Sequence, residues 1–175
     1  MNAAEHITEC YYRLEKRCFT LDDVKVINGV NRQLDLLAIN LTTGDQYHIE
    51  TSVTHRTAWA PDEQKLESIF AHKFLGHPKE REGKKSDFVR GVNYQAQIEA
   101  TYKSVGLDPT KIQRVFVCWI LKHEAAGKNA LAAFRQKHGF GMSIVSFRDT
   151  ILPALRDAVG TTNYDDEVLR TLSFI

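Results

Sequence analysis

The sequence predicts an α/β domain: a mixed central sheet flanked by helices. Three observations carry this. Early in the chain, short turn signals join three strand-like segments into an antiparallel meander. Later, Gln113–Leu121 (QRVFVCWIL) is nearly continuous in apolar residues, which is how a strand covered on both faces reads. Helical patterns precede the meander and alternate with the later strands, as crossover connections require.

The elements follow in order. Ala3 to about Arg17 shows Ile7, Cys10, Tyr11, Leu14 and Cys18 at three- and four-residue spacing, one apolar stripe. Asn2 is a candidate N-cap, with Glu5 at the spacing of a capping box, and Lys16 and Arg17 suit the helix C-terminus. Asp23–Asn28 reads as a strand closed by the Asn28-Gly29 turn signal. Two further strands are expected at about Arg32–Leu41 and Gln46–Thr54, joined by the turn Thr42–Asp45. The segment from Pro61 to Gly76 places Leu66, Ile69, Phe70 and Phe74 on one helical stripe, and Gly76 can end it. His77–Arg90 is polar and rich in Lys and Arg, which predicts a mobile loop. Together, positions 56–91 read as a helical and basic-loop insertion within one domain, 1–175. Helices are then expected at Tyr94–Val105, Ala125–His138 and Asp149–Val159, with Pro153 in the first turn of the last. A short strand, Met142–Phe147, falls between the second and third. Asn163–Ile175 is a candidate closing helix that packs through Val168, Leu169, Leu172 and Phe174.

Composition narrows the class. A chain of 175 residues with 43% hydrophobic and 26% charged side chains can bury one sizeable core. No apolar run reaches the roughly 18 residues that a membrane span needs, and the N-terminus has no apolar signal core. Three cysteines (Cys10, Cys18, Cys118) lack metal-type spacing, so free thiols in a reducing cytoplasm are the simplest expectation. The net charge of +1 does not advertise nucleic-acid binding, although a local basic patch can still supply it. There is no Walker loop and no dinucleotide fingerprint.

Chemistry concentrates in Arg32–His55, RQLDLLAINLTTGDQYHIETSVTH. Asp35 and Glu50 each sit within a largely apolar strand, where a carboxylate is costly to bury without a partner. Alternation puts His48, Glu50 and Ser52 on one face of their strand, and Gln33, Asp35 and Leu37 on one face of the neighbour. If Asp35 and Glu50 meet, they form an oxygen-rich site of the kind Mg²⁺ or Mn²⁺ takes. The alternatives are an ion pair between Asp35 and its neighbour Arg32, and a solvent-facing Glu50.

The order helix, strand, strand with Asp, turn, strand with Glu resembles the PD-(D/E)XK nuclease superfamily, the restriction-endonuclease-like fold. The motif stands here as Q-L-D35-L-L-A…Y-H-I-E50-T-S52-V. The resemblance covers Ala3–Val53 by order and motif, and extends more loosely to Tyr94–Val105 and Gln113–Leu121. It implies a Mg²⁺-dependent (or Mn²⁺-dependent) endonuclease that hydrolyses phosphodiester bonds in DNA. Asp35, Glu50 and the Thr51 main-chain carbonyl would be the metal ligands. Many members of the superfamily also bring a Glu from the first helix; Glu5, Glu9 and Glu15 are available here, with mid-helix Glu9 the choice. Many also dimerise, so a homodimer is compatible. The departure lies at Ser52, where the family carries a Lys that orients the attacking water. Lys25 and Lys73 are candidates, by location, to replace it. The rival reading is a catalytically weakened module on the same fold that binds nucleic acid or a protein.

Further candidates surround this pair. Lys79, Arg81, Lys84, Lys85 and Arg90 form the best local basic patch for DNA phosphates, against the alternative of a solvated loop. Gln95 or Gln97 could face the site, and Trp59 could stack on a base or cap the core. His48 and His55 flank Glu50 and invite a zinc reading, with surface or supporting roles the alternative. Cys118, in a buried strand, is expected to be inert.

Overall fold

The structure is a computed structural model that describes residues 2–29, 31–53, 63–77, 94–121 and 123–174. The candidate residues His55 and Trp59 and the basic patch Lys79, Arg81, Lys84, Lys85 and Arg90 lie outside the described residues, as does most of the 56–91 insertion.

Helix α1 (Ala3–Leu14) begins as its sequence predicts. The Asn2 side chain accepts from the backbone N–H groups of Ala4 and Glu5, and the Glu5 side chain accepts from the Asn2 N–H in return. The helix stops short of the expected Arg17, whose φ of +53° cannot continue it. Strand β1 (Phe19–Lys25) starts earlier than Asp23. Phe19 and Leu21 are exposed on it because β1 lies at the sheet edge, and edge exposure hides the alternation that marks a half-buried strand. Strands β2 (Gln33–Ile39) and β3 (Gln46–Ser52) follow, then α2 (Glu63–Leu75), α3 (Gln95–Ser104), β4 (Ile112–Cys118), α4 (Glu124–His138) and β5 (Met142–Ser146). The last expected helix begins instead as a wide π-helical turn, Phe147–Ile151, which runs into α5 (Leu152–Val159). The tail contributes α6 (Glu167–Leu172), capped by Asp166.

The five strands form one mixed sheet in the order β1-β2-β3-β4-β5. The first three pair antiparallel, whereas β3–β4 and β4–β5 pair parallel. Helices cover both faces. On one, Cys10, Tyr11 and Tyr12 of α1 pack with Leu36, Ile49, Val115 and Val117 of the sheet and with Ile151, Leu155 and Leu169. On the other, Leu66, Phe70 and Phe74 of α2 meet Phe116, Cys118 and Phe134, while Ile98 and Tyr102 of α3 meet Leu37. The rings of Phe70, Phe116 and Phe134 stack edge to face at 5.4 and 5.8 Å. This second layer places α2 beside the polar side chains of β3. Among the described residues, no helix is long and apolar enough to cross a membrane.

Candidate active site

Strand β3 is the middle strand, so side chains on either of its faces are buried. The apolar ones, Tyr47 and Ile49, face α1, whereas His48 and Glu50 face α2 and α3, as alternation predicts. Glu50 is only 1% exposed, which removes the solvent-facing alternative. Asp35 lies one position beyond the Leu36–Ile49 pair, where the antiparallel register sets it opposite Glu50. Its Oδ2 accepts the backbone N–H of Thr51 at 2.8 Å, holding the carboxylate against the end of β3.

The cation that joins the two carboxylates is Lys73 of α2. Its Nζ lies 3.0 Å from Asp35 Oδ2 and 2.9 Å from Glu50 Oε2. Lys73 sits at the edge of the Leu66, Phe70, Phe74 stripe, so packing of that stripe delivers the ammonium to the sheet. The helix end is held by Arg32, which precedes β2. Its Nη2 donates to the carbonyl oxygens of His72 and Lys73, the latter at 2.8 Å, so a guanidinium satisfies the last carbonyls of α2. Arg32 thus ties the helix carrying Lys73 to the strand carrying Asp35; it does not pair with Asp35. Burial lowers the affinity of Arg32 for its proton, while Glu50 and Asp35 nearby work the other way.

Glu50 has a second partner. Its Oε1 is 2.8 Å from His48 Nε2, and His48 Nδ1 is 2.7 Å from the Tyr102 hydroxyl. The network is satisfied when Tyr102 O–H donates to Nδ1 and Nε2–H donates to the carboxylate. Burial lowers the affinity of His48 for a second proton, against the pull of Glu50, consistent with that assignment. His48 is therefore a supporting side chain for Glu50. Tyr102→Phe leaves Nδ1 buried and unpaired, and is expected to cost about 1–3 kcal/mol in urea denaturation. An unchanged midpoint would contradict the assigned network.

The two carboxyls differ in proton affinity. Burial and the neighbouring Glu50 charge push Asp35 up to about 6, against the pull of Lys73 and the Thr51 N–H. For Glu50 burial acts upward as well, but hydrogen bonds from His48 and Lys73 and the ammonium charge outweigh it and hold the group at about 2. Lys73 gains affinity for its proton: burial opposes it, and the two carboxylates prevail.

The remaining predicted residues are placed as follows. Ser52 ends β3, half-buried, with its Cα opposite Cys118. The Thr51 hydroxyl is buried without a hydrogen bond among the described residues. Glu9 is not brought to the pair. It lies on the α1 side of the sheet, accepting from Thr20 Oγ1 at 2.8 Å, because α1 packs on the face opposite to Glu50. Lys25 is exposed at the end of edge strand β1, paired in register with Gln33. Gln95 donates to Glu99, and the Gln97 Oε1 is buried without a hydrogen bond among the described residues. Cys118 is buried and its thiol is pushed up to about 11 by burial, which makes it inert.

The Lys73 ammonium is the cation between the two carboxylates here. Two carboxylates share a face, and among the described residues Asp35 Oδ1 accepts no hydrogen bond. Lys73 has three N–H donors and, among the described residues, uses two of them, on Asp35 and Glu50. Asp35 and Lys73 are 17% and 23% exposed against 2% for Glu50, so the site opens to solvent on their side. In comparisons with known proteins, no family model, no curated protein and no solved structure matches this chain.

Proposed function

We propose that the chain is a Mg²⁺-dependent nuclease of the restriction-endonuclease-like type, acting on phosphodiester bonds in DNA. One observation carries the reading: Lys73 reaches both Asp35 and Glu50 from a helix, supplying the positive charge that Ser52 lacks. The element order from α1 through β3, followed by α3 and β4, supports the same reading.

Asp35 and Glu50 would hold the ion, with the Thr51 carbonyl as a third oxygen. The all-oxygen donor set suits Mg²⁺ or Mn²⁺. When bound, the ion would polarise a phosphoryl oxygen and lower the pKa of a water. The chain's own groups do the rest. His48 fixes Oε1 of Glu50 and so turns Oε2 toward Lys73 and the proposed ion. The third donor of Lys73 orients the attacking water or offsets the charge that develops on phosphorus. The segment carrying Lys79, Arg81, Lys84, Lys85 and Arg90 follows α2 in the chain and is the proposed source of DNA phosphate contacts.

The experiment is cleavage of supercoiled plasmid and of single-stranded DNA, with Mg²⁺, with Mn²⁺ and with EDTA. Cleavage that requires the metal and disappears in Glu50→Ala is the expected result. DNA binding without cleavage under any metal would favour the binding-module reading, and cleavage undiminished in Glu50→Ala would remove the metal-site assignment.

A further inference from the structure

A second group of ligand-type side chains lies on the opposite face of the sheet, where α1 meets the start of α6. His6 and Cys10 are one helical turn apart on α1, so both project from one face. Asp166, 160 positions along the chain from His6, comes to them as the cap of α6. Its Oδ1 accepts from the N–H groups of Val168 and Leu169, which leaves Oδ2 for His6 Nε2 at 2.8 Å. The Cys10 Sγ lies 3.9 Å from the same nitrogen. The three ligand atoms all fall within 4.8 Å of one another.

This convergence has two chemical readings. A Cys–His–Asp relay for nucleophilic catalysis needs the thiol on one imidazole nitrogen and the carboxylate on the other. Here both approach Nε2, and Cys10 is 1% exposed, out of reach of a substrate. Three lone-pair atoms gathered around one point are instead what a tetrahedral cation requires. Zinc bonds of about 2.0–2.3 Å put its ligands roughly 3.3–3.6 Å apart. The 2.8 and 3.9 Å separations from His6 Nε2 bracket that range, and Cys10 and Asp166, within 4.8 Å of each other, would close by up to about 1.2 Å around an ion. The outer nitrogen supports this too. His6 Nδ1 is buried without a hydrogen bond among the described residues and lies 3.5 Å from Glu9 Oε2. A carboxylate in that position holds the tautomer that presents Nε2 to a metal. Thr20 in turn holds Glu9 through its other oxygen.

We propose that His6, Cys10 and Asp166 form a zinc-class metal site that staples α1 to the start of α6, with Glu9 behind His6 as its orienting carboxylate. The mixed sulfur, nitrogen and oxygen donors select a borderline-soft ion and not Mg²⁺. His6 and Asp166 are 28% and 29% exposed, which gives an ion its entry and leaves a fourth position for water. The site is independent of the Asp35–Glu50 pair and stands or falls separately.

The test is titration of the metal-free protein with Co²⁺, read as the near-ultraviolet thiolate-to-cobalt charge-transfer band. An ion at Asp35 and Glu50 has no sulfur ligand and cannot produce it. One equivalent of Co²⁺ should develop the band, and Zn²⁺ should displace it. Cys10→Ser should abolish it. Asp166→Asn keeps a residue that caps α6 and should weaken Co²⁺ binding at least about tenfold, as should Glu9→Gln. No band at stoichiometric Co²⁺ in folded protein overturns the proposal. So does a band that persists in Cys10→Ser, or an affinity unchanged in Asp166→Asn; the latter decides the matter even if the cysteine variant fails to fold.

Discussion

Lys73→Ala is expected to lower kcat/KM for DNA cleavage by at least about a hundredfold, the scale seen when one donor is removed from a developing charge. The loss should appear in kcat. Mn²⁺ should still bind, because both carboxylates remain and have lost a competing cation. Restoring a lysine on the strand offers a sharper check. Ser52 is two positions beyond Glu50 on the same strand, so alternation gives it the Glu50 face. The double variant Lys73→Ala with Ser52→Lys should recover at least about tenfold over Lys73→Ala alone. Cleavage that tolerates Lys73→Ala would sink the role assigned to the helix; a silent double variant, with the metal still bound, would show that the charge must come from α2.

Asp35→Asn and Glu50→Gln should both abolish metal-dependent cleavage, yet move stability in opposite directions. Asp35 has a folded-state proton affinity raised to about 6, so the native state prefers it protonated. That preference favours folding below about pH 4 and is lost as pH rises through about 6. At neutral pH the ionised group is a net cost, and Asp35→Asn should stabilise the metal-free protein by on the order of 2 kcal/mol. Asn can still accept the Thr51 N–H. Glu50 has the opposite sign. Its affinity is depressed to about 2, so its contribution is present above about pH 4.5 and fades as pH falls toward 2. Glu50→Gln removes the better-held half of a buried ion pair and should cost about 3–5 kcal/mol. Urea titrations at pH 4 and pH 7 measure both. Destabilisation by Asp35→Asn at pH 7 would contradict the electrostatic picture.

What could be read from the sequence follows from what is local. The capping box of Asn2 and Glu5 spans one turn, and the structure forms it as written. Strand alternation placed His48 with Glu50, two residues away, and the two do bond. The antiparallel meander and the doubly covered strand at Gln113–Leu121 are also local patterns, although β4 is bounded at Ile112–Cys118. The misreadings sit where tertiary packing decides. Lys73 could be named only by location, since its reach depends on how the α2 stripe docks. Arg32 looked like a partner for Asp35 three positions on, yet it is drawn to the carbonyl end of a helix 40 residues away. Glu9 had the right helix but the wrong face: which side of a sheet a helix covers is not written in its own stripe. His48 showed no sign that a phenol from α3 would take its second nitrogen, and nothing near His6 points to Asp166.

The origin of the charges has a kinetic side. The carboxylates belong to a hairpin closed by a short turn, a contact of low sequence separation that can form early. The ammonium arrives only when an amphipathic helix seats its three apolar side chains and Arg32 closes over its end. On the proposed function, a protein folded as far as its sheet would already present both carboxylates but would lack the ammonium, so competence to cleave would be reached last. Any event that lifts α2 by even part of a turn would withdraw Lys73 from both carboxylates while leaving the sheet in place.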